Sequence, residues 1–445
     1  KEIENTTPVV VRRALSIDGE EKKMVERTPD AVQLPEQTEV IVVGGGPAGT
    51  TAATIAAQQG RCVMLFEREK FPRFHVGESL IPETFWTLKR LGMIDRLRGS
   101  RFVEKHSVQF VNEKGVLSAP FYFIDHRDDE SSQTWQVRRA DFDEMMLRNA
   151  ESNGVKVHEG MRVLEVLFEG TRATGVRVAD EFGRISTIAA KVVIDASGQA
   201  AMVTSRLGLR EWDPILKKAA LWSYWKGAAR GTGRDEGATL VMQLDDKQGW
   251  LWYIPLDDDV VSIGVVAGYD YLFQNREKKD LEAVYAAEMK RCLGLHGRLD
   301  KATKIESVRV AKEYSYRARD VAGDGWVLVG DAFGFLDPLY SSGILLALKS
   351  GELAGDAVVA ALQENDLSAE RLGSWGQDYV RGMDRMRRLV YEFYDGFNFG
   401  KFVKRFPHLR GHVTDLLIGD LFNERLDEII EPLETLRAEQ EAAAR

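Results

Sequence analysis

A buried-strand run that ends in glycines and restarts as a helix constrains this chain more than any other feature. Residues 39–50 read EVIVVGGGPAGT, and the helix formers TTAATIAAQQGR overlap its end and stop at Gly60. Gly44, Gly46 and Gly49 form G-x-G-x-x-G. The first glycine permits a tight turn, the second lets the backbone approach a pyrophosphate, and the third allows close helix–strand packing. Pro47 and Ala48 open a helix whose first N–H groups and positive dipole end face phosphates. A second apolar strand, CVMLFE, ends at Glu67, about 20 residues on, with Arg68 beside it. An acid there accepts hydrogen bonds from a ribose 2′-OH and repels a 2′-phosphate, which excludes NADP and leaves NAD or FAD. Strand, glycines, helix, strand and acid in register predict an α/β, Rossmann-like dinucleotide fold.

The far end of the chain separates NAD from FAD. WVLVGDAFGFLDPLYSSGI again runs strand, Gly330-Asp331, turn and helix. An acid at that turn can hold the ribityl hydroxyls of an extended flavin. A helix starting near Ser342-Gly343 aims its positive end at the flavin ring. A plain NAD dehydrogenase needs no such remote second site, so FAD is the expected cofactor.

Between these ends the pattern divides the chain. A polar extension (1–37) precedes the first part of the FAD-binding domain (38–205, with inserted segments). Residues 206–315 alternate aromatic and β-branched residues, as in AALWSYWKGAA and GWLWYIPLDD, which predicts a mainly antiparallel substrate domain. The FAD-binding domain returns at 316–367, and 368–445 read as a helical C-terminal region. PETFWTLKRLGMIDRLRG reads as one helix. Cys62, in an apolar run, reads as a small buried hydrophobe.

Composition excludes several functions. The chain carries Lys+Arg 60 against Asp+Glu 69, a net charge of −9, so a nucleic-acid partner is not expected. Two cysteines cannot build a disulfide framework, and the seven histidines show no ligand spacing, so no metal is predicted. No apolar run is long enough to span a membrane, and the cytoplasm is the expected compartment. Ser79 is preceded by Glu rather than framed by G-x-S-x-G, so a nucleophile elbow is unsupported. His75 reads as a packed or surface histidine.

The ordered set GGGPAG (44–49), FPRFHVGESL (71–80), VRRADFD (137–143), DASG (195–198) and GDAFGFLDPLYSSG (330–343) resembles the FAD-dependent monooxygenase superfamily with the p-hydroxybenzoate hydroxylase fold. The resemblance implies that Arg139 helps hold FAD near its phosphates and that Asp331 contacts the flavin side chain, with Pro338, Ser342, Gly343 and Ile344 at the ring. Within that superfamily the chain resembles the flavin-dependent halogenases of the phenol/pyrrole branch. Trp250-Leu251-Trp252-Tyr253-Ile254-Pro255 matches their W-x-W-x-I-P pattern, and Lys105, 27 residues after Glu78, stands where they carry a reactive lysine. The implied activity uses FADH2 made by a separate flavin reductase, O2, and chloride or bromide resting near Ser341-Ser342-Gly343. Trp250 and Trp252 would wall the flavin from the substrate, and Lys105 would receive hypohalous acid. The substrate would be an electron-rich aromatic, a free small molecule or one tethered to a carrier protein; free tryptophan is not preferred. Without the resemblance, Lys105 reads as a solvated lysine and the two tryptophans as core. A monooxygenase, or a geranylgeranyl-reductase-like oxidoreductase acting on a hydrophobic substrate, is the alternative. The segment YEFYDGFNFGKF (391–402) reads as a helix packed across the substrate domain or as a wall over its channel.

Overall fold

The computed structural model describes residues 10–15, 21–26, 34–274, 280–396 and 399–443. Five strands form a parallel core in the spatial order Lys156–Glu159, Val63–Glu67, Gln37–Val43, Ile185–Asp195 and Trp326–Leu328. Their apolar runs suit a sheet covered on both faces, and Val40, Ile41 and Val42 are fully buried. Arg162–Glu169 and Arg172–Ala179 extend this sheet as antiparallel strands. Cys62 is exposed, which corrects its expected burial. The strand starts one residue later, and the backbone N–H of Cys62 donates to Glu39 Oε2 at its open end.

Pro47–Gln58 packs on this sheet and Gly343–Glu364 packs against Pro47–Gln58, and the contact of the two helices depends on missing side chains. A Cβ on Gly351 would lie 2.5 Å from the Ala48 carbonyl oxygen, and one on Gly355 would lie 3.1 Å from Ile55. Two glycines one turn apart let the helices approach closely and bring their N-termini to one cavity. The single helix expected after residue 81 is two short ones, Thr84–Arg90 and Ile94–Arg98. Gly92, with φ +73°, takes the left-handed conformation that ends the first.

The second sheet has nine strands and mixed parentage. Arg210–Lys226, Val260–Gly268, Gly249–Pro255 and Thr239–Gln243 are antiparallel neighbours. Ser107–Val111 then joins parallel to Thr239–Gln243, and Arg309–Ala318 flanks the other side. Trp222 and Trp252 both pair with Gly264 in this register. Any side chain at 264 would occupy the space of the Trp252 ring, so that indole lies flat across the strand between them. The C-terminal region is helical, and Gly376–Tyr394 buries Tyr379, Met383, Met386 and Val390. No described helix is long and apolar enough to cross a membrane.

Candidate active site

The two crossing helices open onto a cavity of about 460 Å³ between the sheets. Gly44, Gly46, Pro47, Ala48, Glu67, Arg68, Arg139, Asp331, Pro338, Gly343 and Ile344 line it, with Trp250 and Trp252 at the second sheet. Two expected residues stand behind the lining. Gly49 is buried against the Gly44 carbonyl, and Ser342 is buried at the start of its helix.

The glycine loop fits a dinucleotide by what it lacks. Neither helix N-terminus has a side-chain cap, so no side chain satisfies their first N–H groups. A Cβ on Gly46 would meet nothing nearer than Arg73 Nη2 at 3.7 Å, and one on Gly343 would stand in open space. Both positions leave a cradle that a phosphate or ring can fill. Glu67 accepts from the N–H groups of Gly45 at 2.9 Å and Glu69 at 3.0 Å; its carboxylate shapes the loop as well as facing the cavity. Arg139 is buried and well occupied: it clamps Asp143 with Nε and Nη2, and Nη1 donates to the Val76 carbonyl at 2.7 Å. It thereby holds the Val76–Gly77 backbone and sets a positive charge at the cavity edge. Arg73, which sequence reasoning passed over, reaches the same loop and bonds Asp143 at 3.1 Å. Desolvation pushes the Asp331 carboxyl up to about 6, opposed by the charge of Arg139. His75 sits exposed at the edge with Nδ1 2.8 Å from the Val76 carbonyl.

Two indoles line the other side, and a third packs against them. The rings of Trp250 and Trp252 lie 6.3 Å apart, and Trp222 lies 6.3 Å beyond Trp252. Trp250 Nε1 donates to Tyr394 Oη at 2.9 Å, and that hydroxyl donates to Asp337 Oδ2 at 2.9 Å. The helix ending at Tyr394 therefore braces the wall; residues 397–398 of the expected aromatic segment lie outside the described residues.

Lys105 lies one layer past this cavity and is 2% exposed. Its Nζ donates to Ser79 Oγ at 2.9 Å and to the Leu80 carbonyl at 2.8 Å. Ser79 Oγ is 2.9 Å from Thr239 Oγ1, which also accepts from Gln136 Nε2 at 2.7 Å. Ser79 and Thr239 line the large cavity, while Thr239, Val241, Leu339 and Ser341 also line a small one beside Lys105. Burial alone lowers the Lys105 pKa to about 7.

A family model described as "FAD binding domain" matches residues 37–368. The tryptophan 2-halogenase of Chondromyces crocatus is 35% identical over 370 residues, 82% of this chain and 69% of that protein. The chain belongs to the flavin-dependent halogenases. A second relative of this halogenase is the 1H-pyrrole-2-carbonyl-(peptidyl-carrier protein) chlorinase of Pseudomonas fluorescens. It is 29% identical, with 91% of this chain and 94% of that one covered. Among solved structures, the flavin-dependent brominase Bmp2 superposes with a TM-score of 0.79 at 27% identity, over 92% of this chain and 99% of that one. The halogenase is thus an FAD-dependent oxidoreductase of the p-hydroxybenzoate hydroxylase-like superfamily, with a Rossmann-like region, antiparallel strands and a helical C-terminal region.

Proposed function

We propose that this halogenase uses chloride or bromide to halogenate an electron-rich aromatic substrate through Lys105, drawing reduced FAD from a separate flavin reductase. The buried amine, one hydroxyl pair away from the flavin cavity, is the observation that carries this reading. Reduced FAD with O2 supplies the oxidising power that turns halide into hypohalous acid. Gly44, Gly46, Pro47, Ala48 and Gly49 shape the cradle for its pyrophosphate, with Glu67 and Arg68 at the ribose. Asp331, Pro338, Ser342, Gly343 and Ile344 hold its flavin end, where the Ser341–Gly343 turn offers N–H groups to a halide. The indoles of Trp250 and Trp252 keep a substrate from the flavin, while Ser79 and Thr239 offer hypohalous acid a polar passage between the cavities.

A lysine with pKa near 7 has both forms at neutral pH. As ammonium it donates a hydrogen bond to the hypohalous oxygen; as amine it can form an N–halogen bond. The space around it is lined by Ile81, Val108, Phe110, Phe123, Tyr340 and Leu417. Among the described residues Lys105 is the only charged side chain there, so no acid balances a substrate ammonium. This favours a neutral ring, phenolic or pyrrolic, free or delivered on a carrier. The space is small, about 20 Å³, so a ring enters as Phe123 and Leu417 give way.

The test supplies the protein with a flavin reductase, O2, bromide or chloride, and a panel of phenols and carrier-bound pyrroles, with products read by mass spectrometry. Halogenated product that vanishes without halide is expected. Oxygenated product formed equally without halide would replace this reading with a monooxygenase.

A further inference from the structure

We propose that Trp252, Trp250 and Tyr394 form a path that drains stray one-electron oxidants from the flavin cavity, with Asp337 taking the proton that Tyr394 gives up. The inference does not rest on the role given to Lys105. Reduced flavin and O2 meeting in a cavity leak some oxygen- or halogen-centred radicals, and a radical trapped there attacks the rings around it. A conductor leading out of the cavity protects those rings.

Trp250 and Trp252 both line the cavity, and their ring centroids are 6.3 Å apart, close enough for an electron to pass between them. Trp252 keeps its Nε1 hydrogen inside the sheet, on Ser262 Oγ at 3.1 Å. Trp222, 6.3 Å behind it, has a buried Nε1 with no hydrogen-bond partner among the described residues. Of the three, Trp250 leads outward. Its Nε1 donates to Tyr394 Oη at 2.9 Å, and that hydroxyl donates to Asp337 Oδ2 at 2.9 Å. Asp337 is buried, whereas Tyr394 is half-buried at the end of its helix. The path thus runs from the cavity wall to a ring that a small reductant can reach.

Asp337 makes the pair a relay. Its Oδ1 accepts from the Leu339 N–H at 3.1 Å, which leaves Oδ2 to Tyr394. Burial pushes its carboxyl up to about 6, so at pH 8 it is ionised and can take a proton. Lys218 Nζ lies 3.6 Å from the centre of the Tyr394 ring. A cation there makes added positive charge on the ring costly, so electron and proton leave together. The step balances as Trp250•+ + Tyr394–OH + Asp337–COO− → Trp250 + Tyr394–O• + Asp337–COOH. One electron returns to the indole, the phenolic proton crosses to Oδ2, and the net charge is unchanged. A soluble thiol then restores the phenol by giving a hydrogen atom, and Asp337 returns its proton to solvent.

The test shines blue light on the FAD-loaded protein at pH 8, without halide or O2, and with ferricyanide to take up the electron. Light makes the bound flavin a one-electron oxidant. Electron paramagnetic resonance of frozen samples should find a tyrosyl radical in the wild type. Tyr394→Phe should lose it and hold the radical on tryptophan. Asp337→Asn keeps the Trp250–Tyr394 pair but removes the proton acceptor, and it should do the same. Tyr391→Phe removes a neighbouring tyrosine, bonded to Asp213 and to no indole, and should keep the wild-type signal. During turnover with a flavin reductase and O2, Tyr394→Phe should inactivate severalfold sooner, with oxidised Trp250 and Trp252 found by peptide mass spectrometry. A wild type without the tyrosyl radical, or a radical that survives in Tyr394→Phe, overturns the path. Equal working lifetimes and equal tryptophan oxidation in the two proteins overturn its protective role.

Discussion

The flavin cavity and the lysine throat are adjacent, yet they are built from different materials. The cavity is main chain: glycine turns, two uncapped helix starts, and carbonyls held by Arg139. The throat is side chain: an amine, two hydroxyls and an amide in one hydrogen-bonded row, drawn from residues 79, 105, 136 and 239. A main-chain site can be written locally and reused on many substrates. A side-chain site exists only once distant strands have found their register. The difference predicts that the two regions fail separately.

The largest separation is expected from Lys105→Ala. Halogenated product should fall by about 1,000-fold, while FAD affinity stays at the wild-type value and trapped hypohalite continues to form. Product chromatography alongside a flavin-fluorescence titration checks both. A variant that keeps full activity would remove Lys105 from the chemistry, and one that loses FAD would show that the throat and cavity are a single unit.

The same lysine reports on the cost of the throat. Its folded pKa of about 7 lies below the unfolded value near 10.4. The unfolded chain therefore binds more protons between those values, and stability rises with pH across them. Lys105→Met removes the penalty. On linkage alone it should stabilise the protein by about 4–5 kcal/mol at pH 7 and below, with the gain shrinking toward zero above pH 10. Denaturant titrations at pH 7 and 9.5 read this directly. An equal gain at both would mean that the amine is hydrated in the folded state.

Damage on the other side should be complementary. In Gly49→Val the new Cβ would stand inside the van der Waals radius of the Gly44 carbonyl oxygen, forcing apart the turn and the helix start. FAD affinity should weaken about 100-fold, the scale of lost phosphate contacts and distorted backbone. Infrared or chemical-labelling measurement of the Lys105 pKa should meanwhile change little. A shifted lysine would contradict the separation.

The two materials also explain what could be read from the chain. Gly44 to Glu67 specify strand, turn, helix and acid within one short stretch, so the cradle was legible, and Gly330-Asp331 extended it. Gly351 and Gly355 were passed over because their meaning lies in the helix opposite, at Ala48 and Ile55. Lys105 and the W-x-W strand were legible only through resemblance; alone, Lys105 reads as a surface charge, and burial at 2% exposure is a tertiary fact. Trp222 was missed for the same reason, since it joins the wall across Gly264 through strand register. Tyr224 reaches Glu78 across 146 residues, and no local pattern announces such a pair.

The smallest effect tests a joint between the regions. Tyr394 Oη accepts from Trp250 Nε1 and donates to Asp337 Oδ2, just ahead of the Pro338–Tyr340 turn. Tyr394→Phe strips a partner from a buried indole and from a buried carboxyl, at about 1–2 kcal/mol at pH 8. Burial already pushes Asp337 up to about 6, against the hydrogen bond from Tyr394, which favours its ionised form. Losing that bond raises the carboxyl further, so the destabilisation should shrink as pH falls through 6 and Asp337 becomes neutral in both proteins. Urea titrations at pH 8 and pH 5 check the slope. If the brace serves the wall alone, FAD affinity should hold to within about threefold. A larger loss would mean that the 337–343 segment carries strain from the tryptophans into the cradle, and the division between the two regions would have to be redrawn at Asp337.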